Sequence, residues 1–197
     1  MLIAIPSYMG KTGSDGFQCQ HSEPKQIQKE PVTVQEKYNA LILFADTLHR
    51  EGIIGVPAKT FAGFMLCVFY AESNLNPKAK SGDQQGINQL TADTREGLGL
   101  PSNILEHGFL AQLQYFKTYL IATKQGHKIK RVYDLHILNF SPYKVGEDFL
   151  CVAKPEKGLH WLDLDKDGNV TATDMRLFIA KRCKENKFVN TVFQQLV

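Results

Sequence analysis

The sequence has little of several features that define whole classes of protein. No apolar stretch approaches the roughly 18 residues that a helix needs to cross a bilayer, so we expect no membrane span. The formal net charge is only +3, and no basic block with interleaved aromatic residues is present, which argues against nucleic acid as a partner. The N-terminal segment lacks a basic start and a long apolar core, so we expect no signal peptide.

Cysteine is also scarce, and its spacing excludes the common zinc motifs. Cys19, Cys67, Cys151 and Cys183 lie far apart and form no C-x-x-C pair. Cys67 falls in an apolar helical run, where a buried free thiol is expected. A disulfide among the other three stays open, and the spacing favours a reduced or redox-indifferent protein.

Strand signals are almost absent, and helical periodicity predicts a mainly α protein. Residues 1–32 read as an irregular arm rich in glycine, serine, glutamine and proline. Thr33 and Glu36 have the spacing of a capping box at the start of a first helix, which Gly52 ends. The segment "PAKTFAGFMLCVFYAES" is apolar nearly all round, so we expect it to be the central core helix.

Four further helices are predicted along the rest of the chain. They are a short helix in "TADTREGLG" capped by Thr91, a long helix over 102–126 closed by Gly126, a helix over 128–140 stopped by Ser141 and Pro142, and a final helix in "TATDMRLFIAKRCKEN". The predicted domains are the arm 1–32, a main domain 33–158 and a C-terminal unit 159–197 packed on it.

One carboxylate, Glu72, closes the predicted core helix. A carboxyl group beside Phe69, Tyr70 and Ala71 is expected to stay protonated near neutral pH, because desolvation disfavours its charged form. The loop that follows is rich in amides, which donate and accept hydrogen bonds and so suit sugar hydroxyl and N-acetyl groups. Composition alone leaves the alternative of a solvent-facing glutamate followed by an ordinary connector.

The order of residues after Glu72 resembles a known signature. Glu72-Ser73, Pro77, Ala79 and Ser81 are followed by "GINQL" from Gly86 and then by Thr94. This pattern is similar to E-S-x-x-x-P-x-A-x-S, G-L-M-Q-L and a later Thr in the soluble lytic transglycosylases, which are related to goose-type lysozymes. The resemblance is closest to the variants in phage tail-associated cell-wall enzymes.

The resemblance implies a lysozyme-like helical fold with a substrate cleft between two lobes. It implies that Glu72 is the general acid and base, that Ser73 supports it, and that Gly86 and Gln89 line the sugar site. Asn88 stands where the family has Met and is expected to make the cleft more polar.

The family has a Tyr-Asn-Ala-Gly element further along its sequence, and this chain does not contain that element in the same form. The segment "LHILNFSPYKVG" takes its place and is similar to an F-x-P version in phage enzymes. Asn139, Phe140 and Tyr143 are the candidates there, with Tyr143 preferred for substrate binding, and helix-end packing is the alternative for all three.

The implied reaction cuts the β-1,4 bond between N-acetylmuramic acid and N-acetylglucosamine in the glycan strands of peptidoglycan. A lytic transglycosylase needs one carboxylic acid, whereas a hydrolase usually needs two. Asp83 and Asp93 are the possible second acids, although Asp83 fits a turn and Asp93 fits the first turn of a helix. A lysozyme-type hydrolase and a non-catalytic wall-binding virion component remain alternatives.

A second motif, "DLDKDGNVTATD", has the spacing of an EF-hand calcium loop. Acids recur at positions 1, 3, 5 and 12, and Gly168 occupies position 6, where the turn needs glycine. The expected ligands of a structural Ca²⁺ are Asp163, Asp165, Asp167, Asn169 through its carbonyl, and Asp174. Asp at position 12 is shorter than the usual Glu, and the alternative is a solvated acidic turn that caps a helix. No cofactor is expected for the catalysis itself.

These expectations also concern location and partners. We expect a protein that acts on the bacterial cell wall and is either virion-associated or released during phage lysis. Peptidoglycan strands are the expected substrate, and phage tail or virion proteins are possible partners of the arm 1–32.

Overall fold

Helix α2 (Ala58–Ser73) is the centre of the computed structural model, which describes residues 29–153 and 160–197. Every residue from Phe61 to Ala71 is buried. Phe69 meets Phe116 edge to face, with ring centroids 5.0 Å apart. The prediction that this segment forms the central core helix is confirmed, and so is the mainly α class.

The described part of the chain forms seven α-helices and four short strands. The other helices are α1 (Val34–Arg50), α3 (Ala92–Gly97), α4 (Phe109–Thr123), α5 (Val132–Phe140), α6 (Ala172–Cys183) and α7 (Lys187–Gln194). The strands are β1 (Lys80–Ser81), β2 (Gln84–Gln85), β3 (Phe149–Val152) and β4 (Asn169–Thr171). β1 pairs with β2 and β3 with β4, both antiparallel.

The start of α1 follows its local signals. Thr33 Oγ1 accepts from the backbone N–H of Glu36, and the Glu36 carboxylate accepts from the N–H of Thr33 at 2.8 Å, which completes the capping box. Gly52 lies just past the helix with φ of 69°. The predicted bounds of this helix are confirmed, whereas most of the predicted arm lies outside the described residues.

The predicted helix over 102–126 is wrong in its extent. The segment begins with a 3₁₀ turn at Ile104–Glu106, and α4 starts only after Gly108. Glu30 accepts from the N–H of Phe109 at 2.9 Å, so a residue distant in sequence supplies the N-terminal acceptor of α4. The helix ends at Lys124 in the left-handed conformation (φ 56°), two residues before Gly126.

The end of the chain also differs from prediction. The last predicted helix is confirmed as α6, but a further helix that was not predicted follows it. Asn186 accepts from the N–H groups of Phe188 and Val189 and so starts α7. α6 and α7 pack on α2, and α6 also packs on α5. Leu162 is buried in the same hydrophobic core, whereas Trp161 is 57% exposed.

Two further expectations concern single features. Cys67 is buried and is not in a disulfide, as predicted, and its pKa is raised by a hydrogen bond with Cys183 and by burial. Within the ranges described, every helix is too short or too polar to cross a bilayer.

Candidate functional site

Glu72 lies in the last turn of α2, and its side chain is 18% exposed. Its Oε1 lies 2.9 Å from Nε2 of His136 on α5. The carboxyl group therefore sits at the edge of the core, within reach of solvent on one side and bound to an imidazole on the other.

Sequence reasoning missed His136. Its ring is buried, with Nδ1 3.1 Å from Sδ of Met175, and it stacks on Phe178 with ring centroids 5.0 Å apart and an interplanar angle of 13°. Met175 and Phe178 belong to α6, so three helices meet at this ring. The signal in the sequence was a histidine within the apolar run "LHIL", but its partner Glu72 is 64 residues away.

Ser73 ties the end of α2 to the polar loop. Its Oγ is buried and lies 2.9 Å from both the carbonyl oxygen of Phe69 and that of Ile87. The hydroxyl thus bridges the helix and the loop, which fixes the distance between Glu72 and the residues after Gly86. Its contacts are those of a positioning residue.

The chain reverses immediately after α2. Asn74 and Leu75 both adopt left-handed backbone conformations, with φ of 54° and 59°. Lys37 donates to the Leu75 carbonyl at 2.9 Å. Arg182 of α6 donates to the Ala71 carbonyl at 3.3 Å and to Asn74 Oδ1 at 3.2 Å. These donors satisfy carbonyl groups at the helix terminus.

Gly86 lies against Gln112, a buried residue of α4. The Gln112 side chain accepts from the N–H of Ile87 at 2.8 Å and donates from Nε2 toward the carbonyl groups of Pro77, Ile104 and His107 at 2.8 to 3.0 Å. One side chain therefore joins both ends of the loop to the start of α4.

Gln89 is buried and is turned into its own loop. Its Nε2 donates to the Gly86 carbonyl at 2.8 Å and lies 3.3 Å from that of Ala79, while its backbone has φ of 49°. In this arrangement the amide of Gln89 braces the loop backbone.

Asn88 is paired with Asn139 of α5. Asn139 Nδ2 donates to Asn88 Oδ1 at 2.8 Å. Asn88 Nδ2 and Asn139 Oδ1 are buried and have no hydrogen-bond partner among the described protein atoms. One donor and one acceptor of this amide pair therefore lack a partner at the junction of the loop and α5.

The two other candidates near the end of α5 are placed differently. Phe140 is half-buried and packs against the core, whereas Tyr143 is 62% exposed in the turn Pro142–Lys144. Tyr143 is thus open to a ligand in solution, and Phe140 is engaged in packing.

Asp83 and Asp93 both lie at the N-terminus of α3. Asp83 forms the tip of the β1–β2 hairpin, and its Oδ2 lies 3.4 Å from the N–H of Ala92. Asp93 is in the first turn of α3, as predicted. Arg95 donates to the carbonyl oxygen of Asp83 at 2.9 Å and also to that of Leu90. Both acids therefore have a local role at a helix terminus.

The acidic loop near the C-terminus brings three of its carboxylates together. One oxygen each from Asp163, Asp165 and Asp174 lie within 4.8 Å of one another. Asp167 is not in this cluster. The Asp167 carboxylate instead accepts from the N–H of Asn169 at 2.8 Å.

Backbone donors shape this loop. Asp163 accepts from the N–H groups of Asp167 and Gly168 at 3.1 and 3.0 Å, and Gly168 has φ of 86°. Desolvation raises the pKa of Asp165, and the hydrogen bond from the N–H of Asp167 lowers it. The negative charges of the neighbouring carboxylates raise it further. A cation among these acids would remove that repulsion.

Asp174 has a second role as the N3 residue of α6. Its Oδ2 accepts from the Thr171 N–H at 2.9 Å and its Oδ1 from the Leu164 N–H at 2.7 Å. Burial raises the pKa of Asp174, but hydrogen bonds from Thr171, Leu164 and Asp165 together outweigh burial and leave it lowered. The charged form of Asp174 is therefore stabilised in the loop.

No protein family, curated protein or solved structure matches this chain.

Proposed function

We propose that this protein cleaves the β-1,4 bond between N-acetylmuramic acid and N-acetylglucosamine in peptidoglycan, with Glu72 as general acid and base. The observation that carries the proposal is the position of Glu72. Its carboxyl group ends a buried helix, remains 18% exposed and contacts one other ionisable side chain, His136. Such a group can exchange a proton with a bound substrate.

The surroundings of Glu72 support a sugar ligand. His136 and Asn139 are three residues apart on α5 and therefore share one face of that helix. Asn139 pairs with Asn88. The residue before Asn88 is Ile87, whose carbonyl oxygen contacts the hydroxyl group of Ser73. Amide groups thus lie at the same junction as the acid, and amides can bind both N-acetyl and hydroxyl groups.

In the proposed reaction, protonated Glu72 gives its proton to the glycosidic oxygen as the bond from that oxygen to C1 of muramic acid breaks. The muramic N-acetyl group stabilises the developing positive charge. The Glu72 carboxylate then takes the proton of the C6 hydroxyl, and the C6 oxygen bonds to C1. The products are an anhydromuramyl end and a free N-acetylglucosamine end, no water is consumed, and Glu72 is protonated again.

The single-acid mechanism is favoured by the contacts of the two other candidate acids. Asp83 and Asp93 both lie at the N-terminus of α3, where a carboxylate stabilises the helix. A hydrolase would require one of them to hold the attacking water. Hydrolysis and non-catalytic wall binding are therefore the alternative outcomes of the tests below.

Exposed aromatic side chains extend the proposed binding surface. Trp161 is 57% exposed and meets the edge of Phe178, with centroids 6.3 Å apart, and Phe178 stacks on His136. Tyr143 is exposed near the end of α5. An aromatic face with a polar edge suits the apolar face and hydroxyl rim of a sugar.

The proposal includes a structural Ca²⁺ in the loop Asp163–Asp174, of the EF-hand type. The carboxylate oxygens of Asp163, Asp165 and Asp174 suit a hard divalent cation, and their mutual distances allow one ion to touch all three. Asp167 would have to turn toward the ion to join the set, and the carbonyl oxygen of Asn169 is the remaining proposed ligand. The ion would stabilise the turn that begins α6.

The proposed site of action is the bacterial cell wall, with delivery by a virion or by phage lysis. This part rests on the resemblance of the Glu72 motif to phage cell-wall enzymes, and the proposed docking segment 1–32 lies largely outside the described residues.

The test is the release of soluble fragments from purified peptidoglycan by the full chain. We expect Glu72→Gln to lose at least about 100-fold in rate with an unchanged melting temperature. Glu96→Gln, an exposed glutamate of α3, is the matched control and should retain full activity. Wild-type cleavage by a folded Glu72→Gln protein would contradict the assignment.

A further inference from the structure

We infer that Glu72 and His136 share one transferable proton. Met175 favours a hydrogen on Nδ1 of His136, and this hydrogen makes loss of the shared proton less favourable. The inference rests on the proposed function for its catalytic consequence, but the arrangement of protons can be tested independently of any activity. His136 is then a positioning residue that acts through Glu72.

The first step concerns Nδ1 of His136. It lies 3.1 Å from Sδ of Met175, and both residues are buried. A thioether sulfur carries no hydrogen and can only accept. The contact is attractive when Nδ1 bears a hydrogen, and it brings two lone pairs together when Nδ1 does not. Since the partners of the two ring nitrogens determine the tautomer, the contact with Met175 favours the Nδ1–H form.

The second step concerns Nε2 of the same ring, which lies 2.9 Å from Oε1 of Glu72. With a hydrogen on Nδ1, two arrangements make a hydrogen bond here. A protonated Glu72 donates to neutral His136, or an imidazolium donates to the Glu72 carboxylate. Both arrangements contain the same number of protons. The pair therefore carries one transferable proton whichever atom holds it.

Loss of that proton is disfavoured by the surroundings. It would leave a carboxylate oxygen facing a bare ring nitrogen at 2.9 Å, or would move the hydrogen from Nδ1 to Nε2 and break the contact with Met175. Phe178 stacks on the ring and restricts its rotation. The pair thus keeps a proton ready for the leaving oxygen.

Other charged groups around the pair are engaged elsewhere. On α6, Arg182 binds the Ala71 carbonyl, Asn74 and Glu185. Asp174 precedes Met175 and accepts from backbone N–H groups of the loop. On α5, Asp134 pairs with Arg131 at 2.9 Å. In the described ranges, neither Glu72 nor His136 has a second ion pair.

The direct test is nitrogen NMR of the full chain labelled with ¹⁵N-histidine, with His136 assigned by the loss of its signals in His136→Gln. We expect a protonated Nδ1 in the wild type on the acidic side of the alkaline limb of the kcat profile. In Met175→Leu we expect the hydrogen to move to Nε2 at a lower pH than in the wild type. Met65→Leu, a buried methionine of α2, is the control and should leave the tautomer unchanged.

A wild-type His136 whose Nδ1 is unprotonated on the acidic side of the alkaline limb would overturn the inference, even if Met175→Leu did not fold. An unchanged tautomer in a folded Met175→Leu protein would overturn it as well. Neither result depends on cleavage of peptidoglycan, so failure of the inference is distinguishable from failure of the proposed function.

The catalytic consequence has its own readout. In Met175→Leu, we expect the alkaline limb of the kcat profile to move to lower pH by roughly half to one unit, because the S···H–N contact is weak. In His136→Gln, we expect kcat to fall by about 100-fold with little change in KM. Equal pH profiles for the wild type and a folded Met175→Leu protein would contradict the role of Met175.

Discussion

The backbone of Gly86 passes so close to Gln112 that a Cβ at position 86 would lie 2.5 Å from Gln112 Oε1. The same glycine has φ of 82°, which other residues rarely adopt. Gly86→Ala therefore strains the backbone and displaces an amide that is itself held by hydrogen bonds. We expect a loss of about 2–4 kcal/mol in the free energy of unfolding, measured by denaturant titration.

Gly82→Ala separates the two causes of that loss. Gly82 has φ of 61°, but no atom lies within 4 Å of the position that a Cβ would take there. In Gly82→Ala only the backbone strain should lower the free energy of unfolding, by about 1 kcal/mol. Equal losses for both variants would show that the contact with Gln112 has no energetic weight.

Gln112→Leu should destabilise the protein more than its volume change suggests. The substitution leaves the N–H of Ile87 and the carbonyl groups at the start of α4 without their partner. We expect a loss of about 3 kcal/mol and a melting temperature lower by roughly 6–12 °C. Gln114→Leu, at an exposed position of the same helix, should change the melting temperature little. Similar melting temperatures for the two variants would contradict the role of Gln112 in holding the loop.

The parts of this fold that sequence patterns predicted are those with local causes. The capping box of Thr33, the apolar surface of α2 and the cap at Thr91 involve neighbouring residues, and all three are confirmed. The start of α4 depends on Glu30, 79 residues before Phe109, and no periodicity reveals that contact. The β1–β2 hairpin has two residues per strand, too few to show alternation.

The same distinction applies to the candidate site. Glu72 and its loop could be singled out because their residues follow one another in the chain. His136, Met175 and Gln112 could not, because each reaches the site from another helix through a contact that only folding creates. α6, which the sequence placed in a separate C-terminal unit, supplies two residues in contact with the ring of His136.

The single-acid mechanism predicts that both aspartates at α3 are dispensable for the chemistry. Asp83→Asn and Asp93→Asn should each retain at least about half of the wild-type kcat, with at most a small loss of stability from the weaker helix dipole interaction. Rates of fragment release by each variant provide the measurement. A fall of about 100-fold in either variant, with the fold intact, would identify a second acid and favour hydrolysis.

Calcium should stabilise the folded chain. At a concentration about 100 times Kd, binding adds about 2.7 kcal/mol, which corresponds to a rise of roughly 5–11 °C in melting temperature. EDTA should reverse the rise, and Asp163→Asn and Asp165→Asn should each reduce it. Asp46→Asn, an exposed aspartate of α1, should leave the shift intact. A wild-type melting temperature that is the same in calcium and in EDTA would contradict the proposed site.

The central claim is that Glu72 alone performs both proton transfers in a cleavage that consumes no water. Mass spectrometry of peptidoglycan digested by the full chain tests it most directly, because the two mechanisms leave products that differ by the mass of water. We predict 1,6-anhydromuramyl ends with the wild type and none with Glu72→Gln. Reducing muramyl ends would contradict the single-acid mechanism, and an absence of products from the folded wild-type chain would contradict the enzymatic account.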